Sequence, residues 1–302
     1  MVDARRLARR LVRTILAGRP PAPAPRTILG LSEIGELPRD ALEEACRNVA
    51  SPAYLGDHVA LCRILARYKL YLDTRDVSFG AHVLLDGFWE PWLTRFMARL
   101  VKPGFVVADV GANFGYYTLL LADLVGAEGR VFSVEPNPAA AELLKRSVAL
   151  NGFASRTTVC ALAAGSAEGA ANLWVPEGNP GHAAIVADQT APPPDCASRS
   201  VAVASLDSLV GAEGRIDFIK IDAEGSEERI IAGMERIFAV QRPLIVLEFN
   251  ASWYRDAAGF LARLLALYGA LRYIDYDGQA VPVSPERLLA ANGEWLLFLD
   301  PA

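Results

Sequence analysis

The stretch "VVADVGANFGYYTLLLA", Val106 to Ala122, decides the fold. An apolar run ends on Asp109, passes through a loop with Gly111 and Gly115 four apart, and enters an apolar segment of helical length. A parallel strand buried on both faces reads as such a continuous run, and a glycine-bearing turn into a helix is where a βαβ unit carries its ligand. Glycine there lets the backbone approach a ligand with no Cβ in the way.

Outward from this unit, strands and helices alternate as a parallel sheet requires. "RVFSVEP" (Arg130 to Pro136) reads as a second strand, "RTTVCALAA" as a third, "RIDFIKIDAEG" (Arg215 to Gly225) as a fourth and "RPLIVLEFN" (Arg242 to Asn250) as a fifth, with "RYIDYD" and "GEWLLFLD" closing the chain. The expected fold is therefore α/β, a Rossmann-like, seven-stranded, mostly parallel sheet with helices on both faces. It occupies residues 91–302, with an insertion at 171–206 that breaks the alternation and suits a substrate lid. Residues 29–90 read as an accessory region. Helical periodicity runs through Ala41, Leu42, Ala45 and Cys46 and again through Leu61, Ile64 and Leu65, and a hairpin is expected within Tyr68 to Gly87.

Residues 1–28 differ from the rest. "MVDARRLARRLVRTILAGRP" sets six arginines against Asp3, with Leu7, Leu11 and Ile15 on one face, and a proline-rich linker follows. A basic amphipathic helix of this kind can pack on its own body or on a second subunit, dock on an anionic membrane surface, or serve as a targeting segment. The whole chain has net charge -5, which gives no general attraction to nucleic acid. No membrane-spanning run or secretory leader is read, so the expected location is cytoplasmic. Four scattered cysteines and three histidines suggest neither a disulfide framework nor a zinc site.

Two nucleotide-type ligands compete for the glycine loop. A dinucleotide calls for GxGxxG, which brings the pyrophosphate to the helix amino terminus, and "GANFG" lacks that spacing. S-adenosylmethionine has no phosphate and carries an ammonium and a sulfonium, so Asp109 favours it. Glu135 ends the second strand 26 residues after Asp109, where an acid accepts hydrogen bonds from ribose hydroxyls of either ligand. Lys220 and Asp222 interrupt a strand expected to be buried and read as an ion pair.

These segments resemble the FkbM family of S-adenosylmethionine-dependent methyltransferases. The matching residues are "GFWE" (Gly87 to Glu90), "VKPGFVVADVGANFGYYTLLLA", "GRVFSVEPNP", "LNG", "SLDSL", "IDFIKIDAEGSE" and "LEFN", spread from Gly87 to Asn250. The resemblance implies O-methylation of a hydroxyl on a sugar, polysaccharide component or natural product. It also implies cofactor contacts at Glu90, Asp109, Gly111, Asn113, Gly115, Tyr116, Tyr117, Thr118, Glu135, Pro136, Asn137, Ala163 and Asp222. Which of the two tyrosines faces the cofactor is left open.

Methyl transfer to oxygen needs alignment and a group to take the hydroxyl proton. His182 in the lid turn, Asp222, Glu224 and Glu248 are the candidates. Asp222, Glu248 and Asn250 are also hard oxygen donors of the kind Mg²⁺ prefers, so a metal-assisted variant stays in view. Two other classes are a nicotinamide-dependent oxidoreductase, opposed by the missing GxGxxG, and a scaffold that binds cofactor without turnover. A homo-oligomer is open.

Overall fold

The computed structural model of the chain describes residues 28–186, 191–211 and 214–301. The basic helix and proline-rich linker expected at the amino terminus lie outside the described residues.

Two short helices, Leu31–Glu36 and Arg39–Arg47, lead into an antiparallel sheet of β1 (Ala53–Gly56), β2 (Val59–Ile64) and β3 (Tyr68–Asp73). This corrects the helical reading through Leu61, Ile64 and Leu65. Ala60, Cys62 and Ile64 are buried in alternation along β2, so a period of two wins over 3.6. The hairpin expected within Tyr68 to Gly87 is also corrected. Strand β3 pairs backwards with β2, and Phe79–Asp86 is a helix that buries Phe79, Gly80 and Val83 and ends at Gly87, φ 74°.

The helix Pro138–Leu150 and its cap cover the free edge of β3. Asn151 Oδ1 accepts from Lys69 N at 3.0 Å while its Nδ2 donates to Lys69 O at 2.7 Å, and Ser147 Oγ accepts from Tyr71 N at 2.9 Å. A covered edge cannot recruit another strand. Beneath it, Ile34, Leu42, Leu70 and Leu72 join Val107, Leu119 and Leu144 in one continuous apolar core, so the accessory elements and the main sheet bury each other.

The main sheet is built from β4 (Val106–Val110), β5 (Arg130–Val134), β6 (Thr157–Cys160), β11 (Phe218–Ile221), β12 (Leu244–Phe249), β13 (Arg272–Ile274), β14 (Ala280–Pro282) and β15 (Trp295–Leu299). Its order is β14-β13-β15-β12-β11-β4-β5-β6, with β6, β5, β4, β11 and β12 parallel and β15 antiparallel between β12 and β13. The Rossmann-like class holds, with eight strands in place of seven. The added β14 is three residues long and ends on proline, too short for a periodicity to show.

The third expected strand splits. Its first half is β6, and Ala163–Ala164 forms β7 of a second sheet, β7-β10-β8-β9, whose other strands are β8 (Gly169–Pro176), β9 (Ala184–Val186) and β10 (Cys196–Ala204). The insertion is therefore a small sheet with its own core of Ala163, Leu173 and Val201. Its tip is the 3-10 turn Pro180–His182.

Gly111 follows β4 at φ 77°, and a Cβ there would stand 1.6 Å from the carbonyl oxygen of Asp222. Its hydrogen is thus required by the neighbouring crossover. Gly115, φ 101°, faces Leu144 in the same way, with a Cβ landing 2.3 Å from Cδ1. Gly111→Ala is expected to destabilise the protein by about 3 kcal/mol or more, read as a lower midpoint in chemical denaturation.

Candidate active site

Crossovers run in opposite directions from β4, the place where an open parallel sheet leaves a crevice beyond its strand ends. A cleft of about 1210 Å³, its open mouth included, lies there. The turn after β4 and the helix it enters contribute Gly111, Asn113, Tyr116 and Tyr117; the segments after β5 and β11 contribute Glu135 and Pro136, then Asp222, Glu224 and Ser226, and β12 itself contributes Glu248. Phe79, Trp89 and Glu90 enter from the accessory region, Ala163, His182 and Ile185 from the insertion side, and Glu294 from the turn before β15. Three non-glycine residues of this wall hold a left-handed φ: Glu90 at 37°, Asn113 at 51° and Glu224 at 50°. Strain of this kind persists only where the surrounding structure enforces it, and it concentrates at functional sites.

At the base of the cleft sits Lys220, 2% exposed. Its Nζ lies 2.9 Å from Asp222 Oδ2, 3.9 Å from Asp109 Oδ1 and 5.0 Å from the centre of the Tyr117 ring. Burial opposes its charge, yet Asp222 and Asp109 outweigh burial and hold its pKa above the ordinary lysine value. The same attraction keeps Asp222 ionised below the usual carboxylate range against its own burial. Glu248 goes the other way. Burial and the neighbouring Asp222 charge push it far up, so it carries a proton and donates it to Asp222.

Both tyrosines are buried, and both line the cleft. Tyr116 Oη is 3.1 Å from Thr94 Oγ1, and Tyr117 Oη donates to Glu90 at 2.7 Å. Glu135 accepts the backbone N–H groups of Asn113 at 2.8 Å and Asn137 at 2.7 Å. Burial pushes Glu90, Glu135 and Glu224 each up to about 7. Asp109 is fully buried behind the loop, where Thr118 Oγ1 donates to its Oδ2 at 2.6 Å and its Oδ1 has no hydrogen-bond partner.

A profile of the Methyltransferase FkbM domain matches residues 109–277, more than half of the chain. The chain belongs to the FkbM methyltransferase family. Among curated proteins it is similar to the Protein-L-isoaspartate O-methyltransferase of Hyperthermus butylicus, 32% identical over 40% of this chain and 57% of that one. The enzyme of the same name from Methanopyrus kandleri is 34% identical over 42% and 53%. The chain thus spans about half the length of these relatives. Among solved structures it resembles the methyltransferase FkbM of Methylobacillus flagellatus KT at 19% identity and a TM-score of 0.40, over 70% of this chain and 53% of that one.

Within this FkbM member, Glu90, Gly111, Asn113, Tyr116, Tyr117, Glu135, Pro136, Ala163 and Asp222 line the cleft, as do His182, Glu224 and Glu248. Asp109, Gly115, Thr118 and Asn137 stand behind its surface. Asp109 and Thr118 brace Lys220 and β5, and Asn137 caps the helix Pro138–Leu150. Among the described residues no group of three or more His, Cys, Asp or Glu is arranged to hold a metal ion. The oxygens weighed for Mg²⁺ are engaged elsewhere: Asp222 with Lys220, Glu248 with Asp222, and Asn250 Oδ1 with Ser252 N at 3.1 Å. Sequence reading missed Phe79, Trp89 and Glu294. Trp89 stood inside the quoted "GFWE", but Phe79 was read into a hairpin and Glu294 lies in a turn without pattern. No helix of the described residues is long and apolar enough to cross a membrane.

The raised acids set a pH dependence. Unfolded, Glu90, Glu135 and Glu224 return from about 7 towards 4.5, so the folded protein holds protons that the unfolded chain releases. Their stabilisation is complete below the unfolded value and is lost as pH rises through 7. The ligand-free protein should melt at a lower temperature at about pH 8 than at about pH 5.5, and Glu90→Gln should flatten that slope in a thermal scan.

Proposed function

We propose that this protein transfers a methyl group from S-adenosylmethionine to a hydroxyl oxygen of a sugar, polysaccharide component or natural product. One observation carries the reading. Among the described residues, six carboxyl side chains, Glu90, Glu135, Asp222, Glu224, Glu248 and Glu294, line a single cleft whose one lysine, with no arginine, is Lys220, already neutralised. Such a wall favours a ligand with positive charge and no phosphate, which describes S-adenosylmethionine and argues against a dinucleotide.

The residues present fit that ligand. Glu135 has spent one lone pair on each backbone N–H and keeps others for ribose hydroxyls. Asn113 Oδ1 and Ser226 Oγ, both in the wall, have no hydrogen-bond partner and can serve polar atoms of the nucleoside or the amino acid. Ala163, Ala164, Ile185 and Ile230 supply an apolar surface for a purine. When bound, the cofactor supplies a methyl group on a sulfonium, an electrophile that needs no metal to activate it.

The chain's own part is to orient the acceptor and hold its proton. Asp222 is committed to Lys220, and Glu248 already carries a proton, so neither is free to accept another at neutral pH. Glu224, pushed up to about 7, and His182 remain for that role. The small sheet of the insertion, with His182 at its tip, is suited to cover the cleft and exclude water.

Isothermal titration should show S-adenosylmethionine binding and no heat with NAD; the reverse would sink the proposal. Glu135→Ala should weaken cofactor binding by about 1 to 3 kcal/mol, the cost of losing hydrogen bonds to a charged group. Because three wall carboxyls ionise near pH 7, affinity for this cation should rise from about pH 6 to about pH 8.

A further inference from the structure

The lid turn and the accessory region meet at one polar junction, and the geometry points to Asp76 and Ser78 as positioning residues that fix the tautomer of His182 with Nε2 free to accept a proton. Asp76 is only 1% exposed although it sits in a loop. Its Oδ1 accepts from Gly80 N at 2.9 Å and Ser78 N at 3.2 Å, while Oδ2 accepts from Gly181 N at 3.1 Å, 105 residues away. The turn lies directly on its supports. A Cβ on Gly181 would stand 2.3 Å from Asp76 Oδ2 and 2.8 Å from Asn113 Nδ2, so a larger residue would push the Asp76 carboxylate or the Asn113 amide aside. From the other side, Asn137 Nδ2 donates to Pro180 O at 3.2 Å.

With the turn held, the ring of His182 has one described hydrogen-bonding neighbour. Ser78 Oγ lies 3.4 Å from His182 Nδ1, 3.2 Å from Asn179 Oδ1 and 3.4 Å from Asp76 Oδ1. A hydroxyl has a single proton to give, and the carboxylate and amide oxygens can only accept. The hydroxyl proton therefore goes to one of those oxygens, and Oγ receives the Nδ1–H of His182. Which ring nitrogen carries the proton is set by the partner of the other one, so Nε2 is left with its lone pair. His182 lines the same cleft as Asp222 and Glu224.

The inference rests on methyl transfer to oxygen as its use. The O–CH₃ bond forms as the S–CH₃ bond breaks, the sulfur keeps the bonding pair, and the proton leaving the acceptor hydroxyl ends on Nε2. Asp76 and Ser78 touch none of the reacting atoms and act only through His182.

Two-bond ¹H–¹⁵N correlation spectra of the uniformly labelled, ligand-free full chain test this at about pH 8, above the ordinary imidazole range. The protein has three histidines, and His182→Gln assigns the signal. The expected pattern is a protonated Nδ1 and an unprotonated Nε2 for His182. Ser78→Ala should move that signal to a mixed-tautomer average, and Ser78→Thr, which keeps the hydroxyl, should restore it. A wild-type signal with Nε2 protonated, or a signal unmoved by Ser78→Ala, overturns the inference. In parallel, Ser78→Ala should bind S-adenosylmethionine within about twofold of wild type, because the hydroxyl touches no cofactor-binding residue directly. A correct tautomer in a protein that binds no S-adenosylmethionine would leave the positioning intact and remove the proposed function instead.

Discussion

A lysine sealed into the middle of a parallel sheet is the constraint on which the rest of this structure turns. Lys220 stands opposite Asp109 in the register of β11 and β4, and Asp222 follows two residues on, so side chains of one sheet face bring cation and acids together. An unpaired charge at that depth would be untenable, whereas a paired one only has to offset its own desolvation. Once Lys220 is neutralised, every further acid in the cleft works against its neighbours. Burial first, and that repulsion after it, are why Glu248 keeps a proton and Glu90, Glu135 and Glu224 sit near 7 instead of in the ordinary carboxylate range.

From that follows a wall prepared for positive charge. Carboxyls that are costly to ionise on their own become cheap beside an ammonium or a sulfonium, so the proposed cation would relieve an electrostatic cost held in the protein. The left-handed backbone at Glu90, Asn113 and Glu224 belongs to the same economy of strain, held by packing around it. Accessory and main elements share a core, and that shared core fixes Trp89, Glu90 and Phe79 relative to the strand ends.

Much of the cleft's βαβ side is legible in the sequence. The apolar strand ending on an acid, the glycine turn and the second acid at Glu135 are local features, and local features survive in sequence. The physical reasons were less legible. Gly111 and Gly115 read as openings for a ligand; Gly111 does line the cleft, and both are in addition pressed against Asp222 and Leu144 of neighbouring elements. Asp109 read as a ligand contact and lies behind the wall, bracing Lys220 and Thr118. The accessory region misled where two periods overlapped. Leu61, Ile64 and Leu65 fit a helix by spacing, and only pairing with β3 selected the strand.

What the sequence determined by itself was the βαβ frame, the order of its motifs and the family they belong to, because strand, turn and helix signals act over a few residues. The tertiary structure alone decided which acid is charged, which is protonated, and how His182 is held. Ser78 and His182 are 104 residues apart, and Asp76 and Gly181 are 105 apart. Their meeting depends on the accessory region and the insertion packing together beside the cleft, and a pKa or a tautomer is set by such distances, which no local pattern encodes.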